Sequence, residues 1–314
     1  MGIRAFYGQA LGLLRKHVPE VFAVSADLGR SSGLGRFAQT YPHSYLNVGI
    51  AEQNLVAFAA GLSLGGSKVY ASSFAPFLAL RAGEFLRMEM AYMQIPITVV
   101  ALGSGVGLGY LGNSHYGLED MAVARAIPGL RVLNPADATE LALCLGETLI
   151  NPAPTYIRLT GAPSSPVFFD EKLSQSSFSA SSILPGKSEY LVVSTGTTSA
   201  HVKDVLSNEW VHAGQNYTPS LLHLNHVNEL DSSARLSILS AKKIMVFEEH
   251  LSEGGVGSLV SQCLTSQGGA GVTLFRNDLG QKFLKQGSYT SVLEAYGLSR
   301  QAIFAKLLEF EIAG

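Results

Sequence analysis

Charged residues are scarce in this chain, and neither sign is in excess. Only 15% of the 314 residues are charged, with 22 Lys and Arg against 24 Asp and Glu. A surface without a basic surplus does not attract nucleic acid or an anionic membrane, so we expect neither as a partner. Because 47% of the residues are hydrophobic, we expect part of the surface to be covered by another chain.

Cysteine and long apolar runs are also nearly absent. The two cysteines, Cys144 and Cys263, lie far apart. They are typical of small buried hydrophobes in a reducing compartment, although two thiols could also pair. No apolar run is long enough to predict a membrane-spanning helix, and the N-terminal segment lacks a signal-peptide core and cleavage site. We therefore expect a cytoplasmic protein.

Short apolar strands alternate with helical patterns throughout the chain. This alternation predicts an α/β protein with two doubly wound domains, which we assign to residues 1–165 and 189–314. Residues 166–188 are rich in Ser and Pro, and they are predicted to form a linker. Residues 76–93 and 292–310 are each predicted to form one long helix.

Glu52 lies between the end of a short strand and an apolar helix. No Lys or Arg occurs between Arg36 and Lys68. A carboxyl group in such a setting is predicted to be buried, and burial raises its pKa. It then needs a hydrogen-bonding partner, because an unpaired buried charge is costly. The alternative is an ordinary acid at a helix N-terminus, where the helix dipole favours negative charge.

His115 follows a glycine-rich loop, at the edge of the sheet where α/β folds bind ligands. The alternative is an ordinary surface histidine. The loop contains Gly107, Gly109 and Gly112, a spacing that formally matches the dinucleotide fingerprint. That fingerprint requires a helix to begin there, whereas more loop follows, so nicotinamide binding is not supported. No Walker loop, HExxH or CxxC motif supports nucleotide hydrolysis or zinc chemistry.

Phe74 and Phe77 flank Pro76 at the start of a helical segment. Two aromatic residues in this position usually belong to the core, but they could equally wall a pocket for a flat ligand. Two polar clusters are interpreted as architectural. Residues 119–120 are typical of an acidic helix start, and nothing in the sequence converges on residues 248–250.

Together these residues resemble the C-terminal half of a thiamine-diphosphate enzyme of the transketolase family. The similarity covers nearly the whole chain in the right order, and it extends to 1-deoxyxylulose-5-phosphate synthase. It implies a thiamine-diphosphate pyrimidine-binding domain followed by a transketolase C-terminal domain. The segments that carry it are Ser-Ala-Asp-Leu at 25–28, Gly-Ile-Ala-Glu-Gln-Asn at 49–54, Ala-Ser-Ser-Phe at 71–74, Ser-His at 114–115, Ala-Ile-Pro-Gly at 126–129, Asn-Pro-Ala-Asp at 134–137, Glu-Glu-His at 248–250 and Gly-Gly-Val-Gly-Ser at 254–258.

The resemblance assigns roles to single residues. Glu52 would hydrogen-bond N1′ of the cofactor's aminopyrimidine and favour its imino tautomer. Phe77 would stack on the pyrimidine, Phe74 would line the same pocket, and Asp27 would belong to the same cofactor site. His115 would face the substrate's hydroxyl or developing oxyanion as the second catalytic group.

The Gly-Asp-Gly segment with which the family binds diphosphate and Mg²⁺ does not occur in this sequence. The resemblance therefore implies that thiamine diphosphate is shared with a separate N-terminal-type transketolase subunit, which would bring the Mg²⁺ site. No metal ligand is expected in this chain, and a dimer of heterodimers is the implied assembly. The chain would be the smaller subunit of a split enzyme that transfers a two-carbon ketol unit from a ketose-type donor to an aldehyde-type acceptor.

Departures from the family pattern concern the substrate. Ser31 matches the family's phosphate-loop serine, but the usual phosphate-binding arginine falls at Gly161, three residues after Arg158. Leu111 replaces an acid that would touch a sugar hydroxyl. The substrate site is therefore assigned to His115, Ser31 and Arg158. Since the strongest phosphate contacts are missing, a non-standard or unphosphorylated substrate is expected.

Three other functions remain open at the level of sequence. The chain could be a deoxyxylulose-phosphate-synthase-like subunit, which would decarboxylate pyruvate. It could be the beta-type subunit of a 2-oxo acid dehydrogenase, which has the same two domains. It could also be a non-catalytic scaffold subunit, although such a chain would not need Glu52, His115 and the two phenylalanines.

Overall fold

The first half of the chain forms a parallel sheet of six strands. The computed structural model describes residues 2–160, 166–169, 177–186, 189–211, 218–269 and 271–312. The strands are β1 Val21–Ser25, β2 Tyr45–Asn47, β3 Lys68–Phe74, β4 Thr98–Ser104, β5 Arg131–Leu133 and β6 Thr155–Thr160. They lie in the order β2-β1-β3-β4-β6-β5. Every residue of β4 and β6 is buried, as expected for central strands that helices cover on both faces.

Helices pack against this sheet, and one predicted helix is broken. The helices are α1 Ile3–His17, α2 Gly35–Thr40, α3 Glu52–Leu64, α4 Gly83–Phe85, α5 Asp120–Arg125 and α6 Ala138–Ile150, with 3₁₀ turns at Pro42–Ser44 and Gly109–Ser114. The prediction of one helix over residues 76–93 is wrong. Two π-helical segments, Phe77–Arg81 and Leu86–Tyr92, flank α4. The Ala82 N–H bonds the Phe77 carbonyl five residues back at 3.1 Å, which widens the helix as in a π-bulge.

A second sheet of five strands follows, and its first strand lies in the predicted linker. The strands are β7 Ser181–Leu184, β8 Tyr190–Ser194, β9 Ser220–Leu224, β10 Lys243–Phe247 and β11 Thr273–Asn277, in the order β11-β10-β8-β9-β7. Residues 166–188 are therefore not linker throughout, because β7 pairs antiparallel with β9 as an edge strand. All four residues of β7 are only half-buried, so the sequence carries only a weak apolar pattern for this strand. Residues 161–165, 170–176 and 187–188 lie outside the described residues.

The helices of the second half are α7 Gly196–Asp204, α8 Ser232–Ser240, α9 Val256–Ser266, α10 Tyr289–Ala295 and α11 Arg300–Ile312, with a π-helical segment Val205–Trp210. The prediction of one helix over residues 292–310 is wrong, because Gly297 ends the first helix. Its φ of +76° is a left-handed value that glycine adopts without strain. The Leu298 N–H then reaches back to the Leu293 carbonyl at 2.8 Å, which closes the helix end.

The two sheets share one hydrophobic cluster, to which both β5 and β9 contribute. The Asn134 N–H donates to the Asn225 carbonyl at 2.8 Å, so backbone hydrogen bonds also join the two halves. Cys144 lies in α6 and Cys263 in α9. Both are buried, and they form no disulfide with each other. Among the described residues, no helix combines the length and the apolar character that crossing a bilayer requires. The predicted α/β class with two doubly wound sheets is confirmed.

Candidate active site

Glu52 is the first residue of α3 and is almost completely buried. Only 1% of its surface is exposed. Its carboxylate accepts hydrogen bonds from Arg81 Nη1 at 2.7 Å and from the Ser73 hydroxyl at 3.3 Å. The predicted burial and the need for a partner are therefore confirmed. The charge-free stretch around Glu52 in the sequence does not isolate it in space, because Arg81 reaches it from the next helical segment.

Three aromatic rings meet beside this carboxylate. Phe74 ends β3, Phe77 begins the following π-helical segment, and His115 ends the glycine-rich loop after β4. The Phe77 and His115 ring centroids are 5.3 Å apart, and those of Phe74 and His115 are 5.8 Å apart. Phe74 and Phe77 are separated by 5.9 Å, and all three pairs meet edge to face. We call Phe74, Phe77 and His115 the aromatic cluster.

The Ser114 hydroxyl orients the imidazole of His115. Ser114 Oγ lies 2.9 Å from His115 Nδ1 and 3.2 Å from the Leu111 carbonyl oxygen. Because the hydroxyl has one proton and the carbonyl can only accept, Ser114 donates to Leu111 and accepts from Nδ1–H. This arrangement favours the tautomer in which Nε2 of the neutral ring carries a lone pair. His115 is half-buried, so Nε2 can accept a hydrogen bond from a bound hydroxyl.

The second domain braces the loop that carries His115. The Asn113 side chain donates to the Leu284 carbonyl at 2.7 Å and accepts from the Leu284 N–H at 2.9 Å. Nearer the start of the loop, the Val106 N–H donates to Glu249 Oε1 at 2.7 Å. Through these hydrogen bonds the second domain, which begins about seventy residues later in the chain, holds the loop that carries His115.

Sequence reasoning missed Glu249. Burial raises its pKa to about 7, against the lowering effect of its hydrogen bonds with Val106 and Tyr289. The Tyr289 hydroxyl donates to Glu249 Oε2 at 2.9 Å. Neighbouring Glu248 instead accepts the N–H groups of Val256 and Gly257 at the start of α9, in keeping with an architectural role. Both residues follow β10 and neither lies in it, so the two-residue periodicity of a strand could not have separated them.

Asp27 and Ser31 lie on the loop between β1 and α2, and both are exposed. Asp27 has a left-handed φ of +58° and shares two hydrogen bonds with Asn47 at the end of β2. The same Asn47 oxygen accepts the Gly49 N–H at 3.0 Å, which fixes the turn just before Glu52. The structure gives neither residue a contact with the aromatic cluster, so their assignment to cofactor and substrate stays a prediction.

Arg158 is buried beneath the loop and is held by Asp120. Its guanidinium donates twice to the Asp120 carboxylate, at 2.8 Å each, and its side chain is only 4% exposed. Asp120 was interpreted as an ordinary acid of a first helical turn. It does begin α5, but it is also the buried counter-charge of Arg158 and accepts from the Ser104 hydroxyl at 3.1 Å. The substrate-binding role of Arg158 stays a prediction.

The residues around Glu52 fit the pyrimidine end of thiamine diphosphate. An aminopyrimidine needs a flat apolar surface on which to stack and a buried acceptor for its ring N–H. The structure provides a stand-in for such a group, because the Arg81 guanidinium lies 4.4 Å from the Phe77 ring centroid while it donates to Glu52. A planar, nitrogen-rich group thus satisfies the Phe77 face and the carboxylate at once.

The chain is similar to known proteins in both sequence and structure. The family model of the transketolase pyrimidine-binding domain matches residues 1–162. A Methanocaldococcus jannaschii chain named as a transketolase C-terminal section is 27% identical over 98% of this chain and 96% of its own length. The 1-deoxy-D-xylulose-5-phosphate synthase 2 of Geobacter sulfurreducens is 29% identical over 96% of this chain, which spans 48% of that enzyme.

A solved structure supports the same relationship. A split-gene transketolase, described as an inactive β4 tetramer, superimposes with a TM-score of 0.83 and 27% identity. The superposition covers 99% of this chain and 98% of that one. With the family model matched over half of its residues and this likeness over its full length, the chain belongs to the transketolase family.

Proposed function

We propose that this chain is the smaller subunit of a split, thiamine-diphosphate-dependent transketolase-like enzyme. The observation that carries the proposal is the buried carboxylate of Glu52 beside the face of Phe77, with His115 across the same cluster. A scaffold subunit would not need a buried carboxylate and three aromatic rings gathered at one place. The reaction is the transfer of a two-carbon ketol unit from a ketose-type donor to an aldehyde-type acceptor.

Each residue of the site has a distinct task in this proposal. Glu52 hydrogen-bonds the pyrimidine N1′ and exchanges a proton with it, while Phe77 supports the ring face and Phe74 closes the pocket. His115 binds a substrate hydroxyl through Nε2, because Ser114 already engages Nδ1. When bound, thiamine diphosphate supplies the nucleophilic carbon and the electron sink that the reaction needs.

A second polypeptide completes the site. The sequence has no Gly-Asp-Gly segment, so we assign the diphosphate and its Mg²⁺ to an N-terminal-type transketolase subunit. Large apolar side chains next to the site support a covered surface. Ile50 is 77% exposed two residues before Glu52, and Leu80 and Tyr110 are 59% and 73% exposed. A dimer of two such heterodimers is the assembly we propose.

The proposed substrate is one that this chain does not bind through a phosphate. Gly161 stands where the family's phosphate-binding arginine is expected, and the nearby Arg158 already donates two hydrogen bonds to Asp120. Leu111 is 51% exposed where a sugar-binding acid is expected. Turnover of matched phosphorylated and plain ketose donors tests this part, and a strong preference for the phosphorylated donor would contradict it.

The second candidate is a deoxyxylulose-phosphate-synthase-like subunit, which the similarity to the Geobacter sulfurreducens enzyme supports. The two candidates differ in the donor, since the synthase reaction releases carbon dioxide from pyruvate. Carbon dioxide release from labelled pyruvate, measured together with ketol transfer, separates them.

The central test uses the chain co-expressed with an N-terminal-type subunit that carries Gly-Asp-Gly. We expect Mg²⁺-dependent binding of thiamine diphosphate by the complex. Glu52→Gln should lower turnover by about 10²-fold or more, because the variant keeps the side-chain shape and loses proton exchange. Glu84→Gln, which changes an exposed acid of α4, is the matched control. Full turnover of the Glu52→Gln complex, or tight Mg²⁺-dependent binding by the isolated chain, would refute the proposal.

A further inference from the structure

Arg81 makes both of the contacts that a pyrimidine ring would make in this site. Its guanidinium carbon lies 4.4 Å from the Phe77 ring centroid, within the range of a cation–π contact. Its Nη1 donates to Glu52 Oε2 at 2.7 Å. The guanidinium is flat and rich in N–H groups, so it matches a stacking surface and a carboxylate in the same way as a protonated aminopyrimidine.

Arg81 also has a physical reason to stay there when no cofactor is bound. The Glu52 side chain is only 2% exposed, and a carboxylate so buried requires a counter-charge or a strong donor. Ser73 provides one hydrogen bond of 3.3 Å, which is a weak compensation for a full charge. The arginine therefore supplies the shorter of the two hydrogen bonds to this carboxylate and fixes its orientation.

The side chain is free to leave, because it is anchored at one end only. The Arg81 side chain is 47% exposed, and in the described part of the chain its guanidinium bonds Glu52 alone. Rotation toward water costs it one ion pair and one stacking contact. Departure of Arg81 leaves Glu52 with the Ser73 hydrogen bond alone, so the closed position is favoured until another donor, such as the pyrimidine N–H, reaches the carboxylate.

We propose that Arg81 is a displaceable internal occupant of the pyrimidine site, which the cofactor must expel before Glu52 can bind N1′. This inference rests on the proposed function, since it takes the pyrimidine as the ligand. A site that is mostly closed by its own side chain binds a ligand with an affinity reduced by the open fraction. If Arg81 occupies the site for about nine-tenths of the time, its removal tightens binding about tenfold.

The test uses the isolated full-length chain and 4-amino-5-hydroxymethyl-2-methylpyrimidine, the pyrimidine half of thiamine, titrated by calorimetry. We expect Arg81→Ala to bind the pyrimidine about tenfold more tightly than the wild-type chain. Arg81→Lys, which keeps the charge but not the flat stacking surface, should fall between the two and guards against misfolding of the alanine variant. Arg87→Ala is the matched control, since Arg87 lies on the same helical run and pairs with exposed Glu84. It should bind like the wild type.

A second measurement follows Arg81 itself by NMR of arginine side-chain N–H groups. In the wild-type chain its signal should be shifted by the Phe77 ring current, and the shift should vanish in Glu52→Gln and on addition of the pyrimidine. Weaker or equal binding by Arg81→Ala, with measurable binding by the wild type, would overturn the role of Arg81 and leave the proposed function standing. No binding by any variant, with the NMR shift intact, would instead overturn the pyrimidine site and the inference together.

Discussion

Two adjacent glutamates in the second domain should respond oppositely to the same substitution. Burial raises the pKa of both Glu248 and Glu249 from 4.5 to about 7. Between these values the folded chain holds a proton that the unfolded chain has released. Stability from each group is therefore fully present below pH 4.5 and is lost as the pH rises to about 7. At about 1.4 kcal/mol per pH unit, the loss is about 3 kcal/mol for each group.

Replacement of Glu249 by glutamine should remove this pH-dependent loss of stability while keeping both hydrogen bonds of the side chain. Its carboxylate accepts one N–H from Val106 at 2.7 Å and one hydroxyl hydrogen bond from Tyr289 at 2.9 Å. A glutamine keeps an acceptor for Val106, and its amide can donate to the Tyr289 oxygen, which accepts as readily as it donates. We expect Glu249→Gln to raise the free energy of unfolding by up to about 3 kcal/mol at pH 8 and to leave it unchanged near pH 4.5.

Replacement of Glu248 should be harmful, because both of its oxygens accept backbone N–H groups. The Val256 N–H lies 2.6 Å from Oε2 and the Gly257 N–H lies 2.9 Å from Oε1. A glutamine amide nitrogen has no lone pair, so one of these buried donors loses its partner, at a cost of about 1–3 kcal/mol. We expect Glu248→Gln to be destabilised near pH 5, with the loss partly offset at pH 8.

Urea unfolding of each variant and the wild type, measured between pH 5 and 8, tests both expectations. Differences from the wild type cancel the contribution of His250, whose pKa burial lowers to about 4 and which acts in the opposite direction below pH 6.5. Glu189→Gln, at an exposed pair with Lys242, is the control and should show no trend with pH. The reasoning fails if Glu249→Gln has the same effect at pH 5 and 8, or if Glu248→Gln is equally benign.

Two further predictions concern the support of the His115 loop. Asp120→Asn leaves the buried guanidinium of Arg158 without a charge partner, so we expect a loss of about 3–5 kcal/mol in the free energy of unfolding by urea. Asn113→Ala removes both hydrogen bonds to Leu284, so we expect the amides of residues 109–116 to exchange about tenfold faster or more in hydrogen-exchange mass spectrometry, with the sheet amides unchanged.

Each of these predictions has a control of the same chemical type. Glu84→Gln breaks an ion pair whose two side chains are 56% and 63% exposed, and it should leave the free energy of unfolding nearly unchanged. Asn151→Ala removes an exposed hydrogen bond to Glu147 and should leave exchange in the loop unchanged. A loss below about 1 kcal/mol for Asp120→Asn would show that the buried pair does not hold Arg158. Unchanged exchange in Asn113→Ala would show that the loop is rigid by itself.

The part of the site that lies next to strand ends could be predicted from sequence. Phe74 ends a strand, and Glu52, Phe77 and His115 each come after one, in a regular α/β alternation. Parallel strands bring their carboxyl ends to one edge, so residues after different strands meet there. The structure confirms that the three rings are in contact and that the carboxylate is buried.

The partners of these residues could not be predicted, because they come from distant parts of the chain. Arg81 lies 29 residues from the glutamate with which it pairs, Asp120 lies 38 residues from Arg158, and Glu249 lies 143 residues from Val106. Periodicity indicates which face of an element is buried, but it carries no information about which side chain of another element lies opposite. Hydrophobic composition does not reveal these partners either, because the charged residues of a buried ion pair are counted as polar.

The second domain acts on the site through the loop that carries His115. Gly112 in that loop has a left-handed φ of +67°, and a Cβ there would come within 2.9 Å of Gln286 Oε1. A loop so rich in glycine loses much conformational entropy when it is ordered, so contacts from outside must hold it. The paired hydrogen bonds between Asn113 and Leu284 are such contacts. A substitution in the second domain that breaks them should therefore disorder His115 without touching any ring of the aromatic cluster. The second domain thus affects the chemistry of the site, although Glu52 and the aromatic cluster both lie in the first domain.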